Sequence, residues 1–328
     1  MSAVHTDSAH WQTRPEGGGR FALWLIRSIA LHGGRGLGRL CLYPITLYFF
    51  LRRGPERAAS RQYLERVFHR PASAWQVMKH IHCFACTIMD RIFLLAHGER
   101  DFQIETQGLE LLDERLALGR GVLLFGSHQG SFEALRAIGA RRPEMALRVL
   151  LDKQKTPAMT ELLEALAPEI GACVIDASMD GTSITLAIAE ACQQGALVAL
   201  LADRGRDAEA LRHVDFLGQP APFPVGPWLL AHTLKVPVVL CFGLYLGGNR
   251  YRLVFEPLAD CVEIPRHSRA VALDALIARY AARLEHYVHV APYNWFNFYD
   301  FWQPDQRARV RGQPEPRAAD LGERLGAG

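Results

Sequence analysis

A chain of 328 residues, 49% hydrophobic and 22% charged, has the apolar material for a sizeable core and is not disordered by composition. Its formal net charge of +3 is too small to mark a nucleic-acid partner. Seven cysteines, an odd number at scattered positions, do not make the disulfide framework of a small secreted domain, so the chain reads as reduced and intracellular.

Residues 1–19 are polar and glycine-rich and read as a loose terminus. From Phe21 the chain runs FALWLIRSIALHGGRGLGRLCLYPITLYFFLRR, two apolar pieces separated by HGGRGLGR. Neither piece alone reaches the roughly 20 residues of a spanning helix. Arg20, Arg27, Arg35, Arg39, Arg52, Arg53 and Arg57 surround them, where anionic headgroups would attract them. Residues 20–53 therefore read as a helical membrane anchor lying in or dipping into the cytoplasmic leaflet, with a tilted single span and a buried helical hairpin as the alternatives.

Residues 54–97 read as helices. Cys83 and Cys86 form a CxxC near His80 and His82, but the segment WQVMKHIHCFACTIMDRIFLLAHG has helical periodicity and no second ligand pair follows, so no metal is expected. After Gly98 short apolar runs alternate with helical stretches. FQIETQG, GVLLFGS, LRVLL, ACVIDA, ALVALLAD, VPVVLCFGLY and YRLVFEPL read as strands; FEALRAIGARR, TPAMTELLEALAP and GTSITLAIAEACQQ read as helices between them. That alternation predicts an α/β domain with a central, mostly parallel sheet flanked by helices, over residues 54–302. LDALIARYAARLEHYVHVAP reads as a late helix with Leu273, Leu276, Ile277, Tyr280, Leu284 and Tyr287 on its apolar side. Residues 303–328, rich in proline and glycine, read as a disordered tail.

The chemistry concentrates where the buried run GVLLFGS ends in His128, with Glu133 five residues on. Ligands of open α/β sheets gather at the carboxyl ends of the strands, which makes His128 a candidate by position. With His128 in the turn and Glu133 in the first helical turn, the two can converge. The carboxylate would then hold one imidazole nitrogen and leave the other to take a proton from a substrate hydroxyl or a water. Backbone amides at the start of the following helix could stabilise an oxyanion. GSHQG places histidine where a hydrolase nucleophile elbow has serine, which argues against an acyl-serine. Asp203 and Arg204 follow ALVALLAD and should lie at the same edge.

His128-Gln-Gly-Ser-Phe-Glu133 resembles the HX4(D/E) motif of glycerolipid-type acyltransferases, in the form found in the late acyltransferases of lipid A biosynthesis. The resemblance extends through Asp203-Arg204 and VDFLGQPAPFPVGPWLLAH to APYNWFNFYDFW, most of the chain. It implies a glycerolipid-acyltransferase-like fold and an O-acyltransferase that moves a fatty acyl group from an acyl carrier protein thioester to a hydroxyl of a membrane lipid. It places the protein at the cytoplasmic face of the inner membrane. A thioester is already activated, so no cofactor is implied. His128 would be the general base and Glu133 its orienting partner, with Ser127, Gln129, Arg148, Lys153, Asp203 and Arg204 as candidate substrate contacts. The family's arginine after the histidine has no clear counterpart: Arg148, Lys153 and Lys155 are the alternatives. The segment NWFNFYDFW is almost wholly aromatic where the family has cations, which resembles the branch associated with aryl polyenes or related lipids. A lipid hydrolase or thioesterase and a non-catalytic lipid-binding protein are the rival readings.

Overall fold

The computed structural model describes residues 20–98, 100–135, 146–154, 173–205 and 209–302. The expected loose terminus, the tail, the helix TPAMTELLEALAP and most of the helix FEALRAIGARR lie outside these residues.

Three helices lead the chain: α1 (Arg20–Arg52), α2 (Gly54–Phe68) and α3 (Ala74–His97). The N-terminal region forms two helical segments, together α1, that meet at a kink at Gly34, where the backbone leaves the helical range at φ 73° and ψ 173°. A capping box closes the start of α3: the Ser73 hydroxyl accepts from the Gln76 amide while the Gln76 side chain accepts from the Ser73 amide. Helix α1 lies on α3, and Gly38 permits the approach, because a Cβ there would sit 2.9 Å from Met89 Sδ. Arg35 and Arg39 of α1 both pair with Asp90 of α3, at 2.9 and 2.7 Å. No helix among the described residues is long and apolar enough to cross a membrane, which removes the tilted span from the readings of residues 20–53.

The remaining strands and helices follow in chain order as β1 (Gln103–Gln107), α4 (Leu109–Leu116), β2 (Val122–Gly126), β3 (Leu147–Leu151), β4 (Val174–Asp176), α5 (Gly181–Gln193), β5 (Leu197–Leu201), β6 (Leu211–Phe216), β7 (Gln219–Pro224), α6 (Gly226–Leu234), β8 (Val238–Gly247), β9 (Arg250–Ala259) and α7 (Arg269–Val290). The expected α/β architecture is present. Seven strands form one sheet in the order β1-β9-β8-β2-β5-β3-β4, parallel at every junction except β8–β9. Every residue of β2 is buried, as an unbroken apolar run between two covered faces requires. One face carries the core of α2, α5, α6 and α7; the other packs under α1 and α3 with Met89 and Phe93. On α7 Leu273, Ile277, Tyr280, Leu284 and Tyr287 are buried, as the periodicity predicts.

A second sheet, the hairpin β6–β7, was not among the predicted strands. Its two-residue turn puts Leu217 and Gly218 at φ 53° and 74°, the mirror-image turn that suits the strand twist. The segment FPVGPW thus enters β7 and α6, and its Phe223 and Trp228 are fully buried in the core.

Candidate active site

β2 and β5 are adjacent and parallel, with Gly126 opposite Leu201, so the residues that follow them emerge side by side at one edge. His128 lies two residues beyond β2 and Asp203 two residues beyond β5. Asp203 is fully buried and accepts three hydrogen bonds. One is from His128 Nδ1 at 2.8 Å, one from the His128 amide at 3.0 Å and one from Trp295 Nε1 at 3.1 Å. A buried carboxylate that meets this many donors stays ionised. Burial alone would push its pKa up, but His128, Arg204 and the backbone amide outweigh it and hold Asp203 well below the usual carboxylate range.

An ionised carboxylate only accepts, so Nδ1 carries the proton and Nε2 of the neutral ring is the basic nitrogen. The imidazole is 35% exposed, enough for a substrate to reach it. Burial and the Arg204 cation lower its pKa, against the upward pull of Asp203, with Arg91 adding to the lowering. The ring is therefore neutral near pH 7 and fit to take a proton.

The loop that carries His128 is fastened on several sides. The Phe296 amide donates to His128 O at 2.9 Å, the Gly130 amide to Asn294 O at 2.8 Å, and the Ser131 amide to Gly243 O at 2.7 Å. Gly130 sits at φ 72°, and a Cβ there would lie 1.9 Å from Gly243 O, so only glycine fits. The amides of His128, Gly130 and Ser131 are thus committed to protein oxygens and do not form an oxyanion hole.

Trp295 closes the back of the site. His80 Nε2 donates to its carbonyl at 3.0 Å, and its ring packs on Tyr63, Phe216 and Phe301. The aromatic C-terminal segment is therefore core that reaches the reacting group, and Trp295 is a site residue that sequence reasoning did not single out. The available signal was a tryptophan N–H near the chain end and a buried aspartate in need of donors. Asn294, which receives the Gly130 amide and whose side chain clasps Tyr245, was also missed.

Glu133 does not hold the imidazole. It opens a short 3-10 turn, Glu133–Leu135, where Oε1 lies 2.7 Å from Arg91 Nε and Oε2 accepts from Ser131 Oγ at 3.2 Å. The expected pairing is replaced because Asp203, 75 residues away in sequence, already fills the Nδ1 position. Gln129 is buried and turned inward, its side-chain amide donating to Tyr287 O at 2.8 Å, so it is not presented to a substrate. Arg148 is not at the site. Strand register sets it beside Val198, level with Leu123, roughly 16 Å short of His128 at 3.3 Å per residue. Lys153 follows β3 at the right edge, but β5 lies between β3 and β2, and its amide contacts Asp176 Oδ1 at 3.4 Å. Lys155 lies outside the described residues. Ser127 is buried at the strand end, where the neighbouring carbonyl of Gly126 accepts the Tyr280 hydroxyl at 2.8 Å. Arg204 donates to Phe296 O at 2.6 Å and stacks its guanidinium over Tyr299 at 5.2 Å.

Cys83 and Cys86 face the α1–α3 contact with free thiols, and the described residues contain no cluster of histidine, cysteine and carboxylate fit for a metal. The sequence profile described as bacterial lipid A biosynthesis acyltransferase matches residues 33–303. The chain belongs to this family. The match begins in α1 and runs past Trp302, so it takes in the histidine, its aspartate and the tryptophan behind them within one lipid A biosynthesis acyltransferase unit. A comparison with curated proteins returned no match.

Proposed function

We propose that this acyltransferase moves a fatty acyl group from an acyl carrier protein thioester to a hydroxyl of a membrane lipid acceptor, with His128 as general base and Asp203 as its positioning residue. The observation that carries the reading is the 2.8 Å contact of His128 Nδ1 with buried Asp203 in a chain of this family. Nε2 takes the proton of the acceptor hydroxyl as its oxygen attacks the thioester carbonyl. The tetrahedral intermediate then collapses, the C–S bond breaks, and the imidazolium returns the proton to the departing thiolate. Asp203 stabilises the imidazolium meanwhile without taking its proton. The nucleophile comes from the substrate, which fits a strand end that presents histidine in place of a serine. No cofactor enters these steps.

Work at the cytoplasmic face of the inner membrane fits α1. Leu37, Leu40, Tyr43, Leu47, Tyr48 and Leu51 are all exposed and fall on one stripe of the helix, with Arg52 and Arg53 at its end. Such a stripe suits a helix lying in the interface.

The test is mass spectrometry of lipids from cells lacking the protein, complemented with wild type or with His128→Ala. One lipid that loses a single acyl mass on deletion and regains it only with wild type supports the transfer and identifies acceptor and chain length. Free fatty acid formed in proportion to thioester loss, with no acylated lipid, replaces the transferase by a thioesterase. An unchanged profile with His128→Ala leaves a lipid-binding role.

A further inference from the structure

Neighbouring residues on a helix point about 100° apart, and at Asp90 and Arg91 of α3 both directions carry charge. Asp90 is fully buried toward α1 and β9, held by Arg35, Arg39 and the Tyr251 hydroxyl at 2.8 Å. Arg91 points to the other side, with its Nε 2.7 Å from Glu133 in the loop that carries His128.

We infer that Arg91 is a positioning residue for the reaction, holding through Glu133 the loop on which His128 sits. This rests on the function proposed above. The pair is not an ordinary surface ion pair of little worth. Glu133 is 14% exposed and Arg91 25% exposed, and the second carboxylate oxygen of Glu133 receives Ser131 Oγ. Ser131 in turn is buried, with its amide on Gly243 of β8. The loop's other described fastenings come from the sheet edge, from residues 294–296 and, on the opposite face of the sheet, from Tyr287 of α7 through the Gln129 side chain. Arg91 ties it to the helical layer, which Asp90 clamps to α1. The five-residue spacing from His128 to Glu133 thereby has a use other than contact with the imidazole: it places a carboxylate where α3 can grip the loop. Arg91 is also close enough for its charge to act on the ring, so the grip and the state of the base change together.

The test uses the full chain with Arg91→Gln, Arg91→Glu, Glu133→Arg and the double swap Arg91→Glu/Glu133→Arg. Two readouts are followed. The first is thiol release from lauroyl-acyl carrier protein in the presence of a membrane lipid extract. The second is the pH midpoint for modification of His128 by diethyl pyrocarbonate, read by peptide mass, which needs no substrate. In Arg91→Gln thiol release should fall about 10- to 100-fold, as misplaced reacting groups do, with the donor KM little changed. The His128 midpoint should move to higher pH because a cation has left. The swap should recover at least tenfold over either single reversal. Wild-type release with an unmoved midpoint in Arg91→Gln overturns the inference. So does a swap that restores the thermal midpoint lost in the single variants but not thiol release, because the pair is then structural only. If wild type releases no more thiol than His128→Ala, the proposed reaction fails, and the hold of Arg91 on His128 is judged by the modification midpoint alone.

Discussion

Trp295 and His128 meet on one carboxylate oxygen: Asp203 Oδ2 accepts the indole N–H at 3.1 Å and the His128 backbone amide at 3.0 Å, while Oδ1 takes the imidazole N–H. Both oxygens are therefore fixed, and the imidazole is fixed with them. The base is set by contacts drawn from three parts of the chain that converge at one sheet edge.

Asp203→Asn should abolish turnover while keeping the fold. An amide in place of the carboxylate can present its NH2 to Nδ1 and leave Nε2 protonated, the wrong tautomer for a base. The expected loss is about 10,000-fold in kcat, as for other histidines deprived of their carboxylate. Trp295→Phe keeps the ring packing but removes one donor from a buried carboxylate, and a loss of about tenfold is expected. Acyl transfer rates with thermal melting as the control check both, and a fully active Asp203→Asn would return the orienting role to another group.

The pH profile follows from the same contacts. Activity requires neutral His128, so kcat/KM rises with pH through the histidine pKa, and burial with Arg204 puts that limb below the ordinary value of 6.5. Arg204→Gln removes a cation that favours the neutral ring, so the acid limb should move to higher pH. A limb that stays in place would mean that another group titrates in the wild-type profile.

Part of this site was legible in the sequence and part was not, for reasons that particular residues show. His128 and Asp203 each end an apolar run, and the rule that ligands gather at strand carboxyl ends placed both at one edge. That they touch was hidden, because a one-dimensional reading favours the carboxylate five residues away over one 75 residues away. Gln129 read as a substrate contact through the resemblance alone, and nothing in the sequence shows which way its side chain points. Successive residues of an extended loop point to opposite sides, and Gln129 points into the core. Arg148 read as one of three alternatives, with Lys153 and Lys155, for the family's arginine, but only strand register shows that it lies near the entry end of β3. The hairpin β6–β7 was obscured by Pro220, Pro222 and Pro224, which argue against a central strand. A two-stranded sheet has free edges on both sides and accepts them.

Arg148 supplies a contrast that depends on this register. Arg148→Ala should change the acyl transfer rate less than twofold, since the side chain contacts Leu147 O and Cys173 Sγ and lies far from the base. A loss beyond tenfold with an unchanged melting temperature would show that a substrate reaches along β3 to it.

His80 makes the fold sensitive to acid. It is fully buried between the Ser60 hydroxyl at 2.8 Å and Trp295 O at 3.0 Å, and burial lowers its pKa to about 4. Between pH 4 and 6.5 the unfolded chain binds a proton that the folded chain refuses, so stability falls as pH falls through this window. A shift of this size corresponds to about 3 kcal/mol at the low end. Melting temperatures should drop over this range in wild type and drop less in His80→Gln, which keeps hydrogen-bonding capacity but does not titrate. Equal slopes in the two proteins would assign the acid sensitivity to other groups.

Membrane attachment is better tested by surface substitution than by truncation. Removing residues 1–53 would strip Arg35 and Arg39 from buried Asp90, and an uncompensated buried charge costs about 3–5 kcal/mol, so a released protein could simply be a misfolded one. Leu40 and Leu47 are exposed on the outer stripe of α1 and make no such contacts. Leu40→Glu with Leu47→Glu should leave the melting temperature within a few degrees. The same change should weaken co-sedimentation with vesicles of phosphatidylethanolamine and phosphatidylglycerol about a hundredfold, the effect of losing roughly 3 kcal/mol of apolar burial in the interface. Adding salt should weaken the wild type as well if Arg52 and Arg53 meet anionic headgroups. Unchanged sedimentation of the double variant would remove the stripe from the membrane face and leave it to be covered by another part of the chain or by a protein.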